Sequence, residues 1–112
     1  MHNSDAEYLI LKKLKDNPYL TQRQVSKELG ISLGKTNYVI NALIDKGWLK
    51  LKNFKRSDNK LGYSYLLTAQ GITEKAMLAR KFLNRKSDEY NRLKVEIEKL
   101  RNELWLIKIR LI

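Results

Sequence analysis

Residues 21–48, TQRQVSKELGISLGKTNYVINALIDKGW, constrain the fold more than any other stretch, because they set two helices one tight turn apart. Thr21 with Gln24 three residues later has the form of a capping box, in which each side chain satisfies the other residue's unpaired backbone N–H. Val25 and Leu29 follow one turn apart. Gly30 then stands where helices commonly end in a left-handed residue, so a short helix spans roughly Gln22 to Leu29. Ser32 can cap the next helix, whose apolar stripe is Thr36, Val39, Ile40, Leu43 and Ile44 and whose end is marked by Gly47. Two helices joined this closely make a helix-turn-helix.

The flanking segments complete the pattern. Ala6, Leu9, Ile10 and Leu14 recur at helical spacing between Asp5 and Lys15, and the Asp16-Asn17-Pro18 break ends that helix. WLKLKNF at 48–54 and YSYLLT at 63–68 suit two strands, with KRSDNKLG between them as a basic turn. Thr68 can cap a last helix that runs towards the C-terminus without proline, with or without a break near Ser87. The expected fold is mainly α: a winged helix-turn-helix in the order α-α-α-β-β-α, over residues 1–70, with a helical extension over 71–112.

The outer side of the second helix of this pair is unusual. At about 100° per residue, with Thr36, Ile40 and Leu43 inward, the outward residues are Gly34, Tyr38, Asn41 and Asp45, flanked by Lys35 and Asn37. A solvated face normally carries better helix formers. In a helix-turn-helix this helix enters the DNA major groove by its N-terminal end. Asn37 and Asn41 have the amide that pairs with adenine N6 and N7, and Lys35 reaches guanine or phosphate. Tyr38 offers a hydroxyl or a ring face, and Gly34, beside the cap Ser32, gives clearance for a close backbone approach. Lys55, Arg56, Asn59 and Lys60 at the hairpin tip suit the DNA backbone or minor groove, and Gln22 and Arg23 open the helix that crosses the backbone. Taken singly, each such residue is as often an ordinary surface or capping residue; together, in a basic chain, they point to double-stranded DNA.

Charge supports that partner. The 112 residues carry a formal +11, with 23 Lys and Arg against 12 Asp and Glu, which favours a polyanion. There is no cysteine, and the one histidine, His2, falls at an end expected to fray, so no Cys/His metal site is expected. No cofactor is expected either, because no phosphate-binding glycine loop is present. The acidic residues fall mostly on helix faces beside Lys or Arg rather than in a pattern for acid–base chemistry, so an enzyme is not expected. The start lacks a basic n-region followed by an apolar run, and no segment approaches the roughly 20 apolar residues of a membrane span, which leads to the expectation of a cytoplasmic protein.

Towards the C-terminus, Tyr90, Leu93, Ile97, Leu100, Leu104, Ile107 and Leu111 alternate spacings of three and four. They form a heptad seam with a at 90, 97, 104 and 111 and d at 93, 100 and 107. A parallel homodimeric coiled coil would set Glu96 opposite Arg101 of the second copy and Glu103 opposite Lys108, whereas antiparallel pairing would face like charges along both flanks. Packing of the same stripe on the chain's own first helix is the alternative. The ending LWLIKIRLI is apolar on several sides and alternates like a strand, but the continuing heptad favours helix.

LTQRQVSKELGIS, LIDKGWLK, SDNKLGY and YLLTAQG resemble the MarR family of winged-helix transcriptional regulators over about the first 80 residues. More narrowly, ISLGKTNY, ALIDKGW and NKLGYSYLLT look like the small MarR-type regulators associated with exopolysaccharide loci. The resemblance implies a recognition helix over Ser32 to Asn41 and a wing over Ser57 to Gly62. Where such wings commonly carry Asp-x-Arg, this chain has Asp58-Asn59-Lys60. The function expected is a homodimeric, sequence-specific regulator of transcription that reads half-sites about one helical turn, roughly 34 Å, apart. A protein-docking adaptor and, further off, an RNA-binding module are the alternatives; a small-molecule effector is not legible.

Overall fold

The helix ends are made as the sequence pattern requires. In the computed structural model, which describes residues 2–58 and 60–111, the elements run α1 (Asn3–Asp16), α2 (Gln22–Leu29), α3 (Leu33–Asp45), β1 (Leu49–Lys55), β2 (Leu61–Leu67) and α4 (Ala69–Arg110). This is the winged helix-turn-helix order. His2, expected in a frayed end, instead caps α1: its Nδ1 accepts from the Ser4 backbone N–H at 3.2 Å. At α2 both bonds of the capping box form, Gln24 N–H to Thr21 Oγ1 at 3.1 Å and Thr21 N–H to Gln24 Oε1 at 2.8 Å. Gly30 closes α2 in the left-handed region, at φ 67°, and the Ile31 N–H returns to the Ser26 carbonyl at 3.1 Å.

Ala6, Ile10, Leu11 and Leu14 of α1, Val25 of α2 and Val39, Ile40 and Leu43 of α3 form the buried centre, joined by Leu49, Tyr65 and Leu78. Leu11 is fully buried while Leu9 is half-buried, so α1 turns a slightly different face inward from the stripe read in the sequence. Thr36 is buried within the α3 stripe because its hydroxyl donates to the Ser32 carbonyl at 3.0 Å and brings no unpaired polar group inside.

The hairpin is antiparallel, with Leu49 opposite Leu67 and Lys55 opposite Leu61. Its strands reach further into the basic segment than side-chain alternation suggests, since a ladder is built from backbone groups. Phe54 lies opposite Gly62 and its ring covers the space a side chain would need there, while Tyr19 meets the same ring edge-on at 5.1 Å.

Thr68 fastens the start of α4. Its Oγ1 accepts from the Gly71 N–H at 3.0 Å and donates to the Gly47 carbonyl at 2.6 Å. α4 then continues through Ser87 without a break, and the apolar 104–110 stretch is helical.

Two compact units divide the chain, Met1–Arg80 and Lys81–Ile112. Gly71 and Leu78 are buried in the first. In the second, each heptad residue from Tyr90 to Leu111 is exposed within the single chain; Leu111 stands just past the end of α4. No helix among the described residues is long and apolar enough to cross a membrane.

At Gly71 the start of α4 packs against the backbone just before β1: a Cβ there would collide with the Trp48 carbonyl oxygen. Gly71→Ala should therefore destabilise the protein by about 2 kcal/mol, the scale of an overpacked contact, read as a lower midpoint in urea unfolding.

Candidate nucleic-acid interface

The interface begins with the cap of α3. Ser32 Oγ accepts from the Lys35 N–H at 3.0 Å, and the Ser32 carbonyl accepts from the Thr36 N–H at 3.0 Å. With Thr36, Val39, Ile40 and Leu43 buried, the helical period leaves Gly34, Asn37, Tyr38, Asn41 and Asp45 exposed. Tyr38 is 65% exposed, unusual for a tyrosine whose ring packs on its own domain. Lys35 is half-buried, its ammonium hydrogen-bonded to Asn3 Oδ1 at the start of α1. The cation therefore sits at the edge of the face rather than over it.

The two asparagines do not stand alone. Asn41 Nδ2 donates to Asn37 Oδ1 at 3.2 Å, and Asn37 Nδ2 donates to Gln22 Oε1 at 3.0 Å. Gln22 Nε2 in turn donates to Tyr65 Oη at 3.2 Å. Gln22, expected at the DNA backbone, thus uses its amide to link α3 to β2, and is half-buried in doing so. Arg23, next to it, is exposed.

At the wing, the Arg56 N–H donates to the Lys60 carbonyl at 2.8 Å and closes the loop. Asp58 organises its inside: one carboxylate oxygen accepts from the Lys60 N–H at 3.2 Å and the other lies 3.3 Å from an Arg56 guanidinium nitrogen. Arg56 is hence partly neutralised by its own loop, although both side chains remain open to water and the pair is weak. Lys55 ends β1 and Lys60 opens the return; both are exposed, as are Lys50 and Lys52 along the strand. Asn59, expected at the tip, lies outside the described residues.

Two participants escaped the sequence pattern. Tyr65 reads there only as a strand residue, and nothing marks its hydroxyl as the partner of Gln22. Asn3 looks like part of a terminus. They act through partners 43 and 32 positions away in the chain, a separation that periodicity does not encode, whereas Asp58 makes the local bond expected of a turn former. Among the described residues no three His, Asp or Glu side chains gather to hold a metal ion.

Residues 4–50 match the family model described as winged helix-turn-helix DNA-binding, which covers α1 to α3 and the first residues of β1. No curated protein matches the chain. Solved structures share its fold. The protein smu.1704 of Streptococcus mutans UA159 superposes with a TM-score of 0.65 at 19% identity, over 76% of this chain and 82% of that one. A MarR/EmrR family transcriptional regulator from Acinetobacter sp. ADP1 gives 0.54 at 20% identity, over 88% and 73%. Streptococcus pneumoniae FabT, solved in complex with DNA, gives 0.50 at 21% identity, over 91% and 73%. The fold is thus the winged helix-turn-helix.

Gly34 adds a separate observation. It lies in the first turn of α3 without a positive φ, and a Cβ built on it meets nothing within 4 Å. Nothing inside the protein requires glycine there. Gly34→Ala should raise the unfolding free energy by about 0.5 kcal/mol, through helix propensity and a less flexible unfolded chain, seen as a higher denaturation midpoint at unchanged slope.

Proposed function

We propose that the protein is a MarR-type transcriptional regulator that binds double-stranded DNA sequence-specifically as a homodimer. The observation that carries this reading is the outer face of α3: Asn37, Tyr38 and Asn41 exposed on a helix whose other side is buried, with a glycine that the protein's own packing does not need. A protein-docking surface would more readily place large apolar residues there. The wing supplies the cations Lys55 and Lys60, with Arg56 shared between Asp58 and any phosphate, and Arg23 flanks the helix. FabT, of the same fold, was solved in complex with DNA, which supports DNA as the partner. Exopolysaccharide loci are the first genomic sites to examine, on the resemblance of the ISLGKTNY and NKLGYSYLLT segments.

The second copy is proposed from the Lys81–Ile112 unit. Tyr90, Leu93, Ile97, Leu100, Leu104, Ile107 and Leu111 are between 40% and 83% exposed, a continuous apolar seam that a solitary helix would leave in water. In parallel register Glu96 meets Arg101 of the other copy and Glu103 meets Lys108, and the same rule adds Glu89 with Lys94. All three contacts join opposite charges, so orientation follows from the flanks and affinity from the seam.

Selection of genomic fragments on the purified full chain tests the whole reading, since it yields both the site and the half-site spacing. Asn37→Ala should reduce affinity for the selected site by about 1 to 3 kcal/mol and relax the choice at one base pair. Lys60→Ala should weaken binding to every sequence and flatten its salt dependence by about one counterion. Gly34→Leu should abolish tight binding while the fold persists. Equal losses on selected and random DNA for Asn37→Ala would contradict base readout. In solution the mass should be that of a dimer at micromolar concentration, and Ile97→Asp with Leu100→Asp should give a monomer; a monomeric wild type would overturn the seam.

A further inference from the structure

The amides of Asn41, Asn37 and Gln22 form one directed chain that ends on the Tyr65 hydroxyl, with donor–acceptor distances of 3.2, 3.0 and 3.2 Å. An amide has one oxygen with two lone pairs and two N–H groups. Within the chain Asn37 accepts once and donates once, leaving one lone pair and one N–H. That remainder is the pair that an adenine edge takes through N6 and N7. A flip of the Gln22 amide would set its N–H groups against the Asn37 N–H and force Asn37 to turn as well. The orientation of the Asn37 amide is therefore coupled to that of Gln22, and the place of the Gln22 side chain to the Tyr65 hydroxyl, which can donate or accept.

Gln22 borders a cavity of about 390 Å³ together with Tyr19, Phe54, Arg56, Tyr63 and Tyr65. Its two side-chain hydrogen bonds tie it to Asn37 and to Tyr65. Tyr65, by contrast, is fixed: it is 9% exposed, belongs to the core and its backbone N–H is tied to the Pro18 carbonyl at 2.9 Å. A buried tyrosine on the wing strand is the rigid end of the chain, and the exposed asparagines are its free end.

We propose that Gln22 and Tyr65 are positioning residues for base readout, setting the amide of Asn37, and through it Asn41, without touching a base themselves. This rests on the reading of α3 as the helix that faces DNA. The consequence differs from a phosphate contact by Gln22, which would serve all sequences alike. Loss of the chain should instead blur one base preference and spare the rest.

The test uses the full-length protein and a site selected from random duplexes. It compares Kd for that site with Kd for the site changed at the base pair whose preference Asn37→Ala abolishes. Tyr65→Phe and Gln22→Met should each lower this ratio by about tenfold, leaving affinity for random DNA and the salt slope unchanged. Gln22→Glu, whose carboxylate still accepts from Asn37 and can accept from the Tyr65 hydroxyl, should keep the ratio while weakening all binding by its charge. In the free protein, Tyr65→Phe should shift the side-chain amide resonances of Gln22 and Asn37. An unchanged ratio in both Tyr65→Phe and Gln22→Met, or equal losses on every duplex, overturns the inference while the DNA reading stands. A wild type that selects no sequence overturns the DNA reading itself, and is recognised because no substitution is involved.

Discussion

Burial of one side of α3 against α1 and α2 is the constraint on which the rest depends. Ile40 and Leu43 are fully buried there, each contributing about 1.5 to 3 kcal/mol by removal from water. A helix of fixed period cannot choose its two faces separately. Once Thr36, Val39, Ile40 and Leu43 are inside, Gly34, Asn37, Tyr38 and Asn41 are outside, whatever their own preferences. The turn that sets α3 at this angle needs Gly30 at positive φ and the bond from Ile31 back to Ser26. The polar outer face is thus a by-product of core packing, and its composition is free to answer to something outside the molecule.

The glycines separate inner from outer demands. Gly62 lies under the Phe54 ring and Gly71 against the Trp48 carbonyl, so in both the missing side chain is required by the protein's own packing. Gly34 has open space around it and ordinary backbone angles. At Gly34 the lower helix propensity is therefore not offset by any close contact that the missing side chain permits.

How much the sequence discloses follows from the range of the interactions. Capping signals act over three residues, so the limits of α2 and the cap of α3 were legible, and the inward stripe of α3 followed from period alone. The inward face of α1 was less clear, because Leu9, Ile10 and Leu11 stand in a row and only packing decides that Leu11 goes in. The wing strands outran their apolar pattern, since backbone pairing tolerates Lys55 and Leu61 at the end. Pairings across 32 and 43 positions, Lys35 with Asn3 and Gln22 with Tyr65, had no sequence signature at all. The candidate face was therefore readable as a set of residues, while the partners of Gln22 and Lys35 were not.

Those long-range bonds change what the face is. Hydrogen bonds among part-exposed amides add little to stability, because water offers nearly equal partners to each group in the unfolded chain. Their effect lies in the number of conformations that remain. An exposed asparagine or glutamine samples several rotamers and two amide orientations, and a partner that needs one of them must bear the ordering cost, about 0.5 to 1.5 kcal/mol for each side chain held. In this protein the ordering of Asn41, Asn37 and Gln22 is achieved on folding, and its anchor, Tyr65, sits in the core. The same core that exposes the α3 face thus also anchors the amides on it, through the Tyr65 hydroxyl.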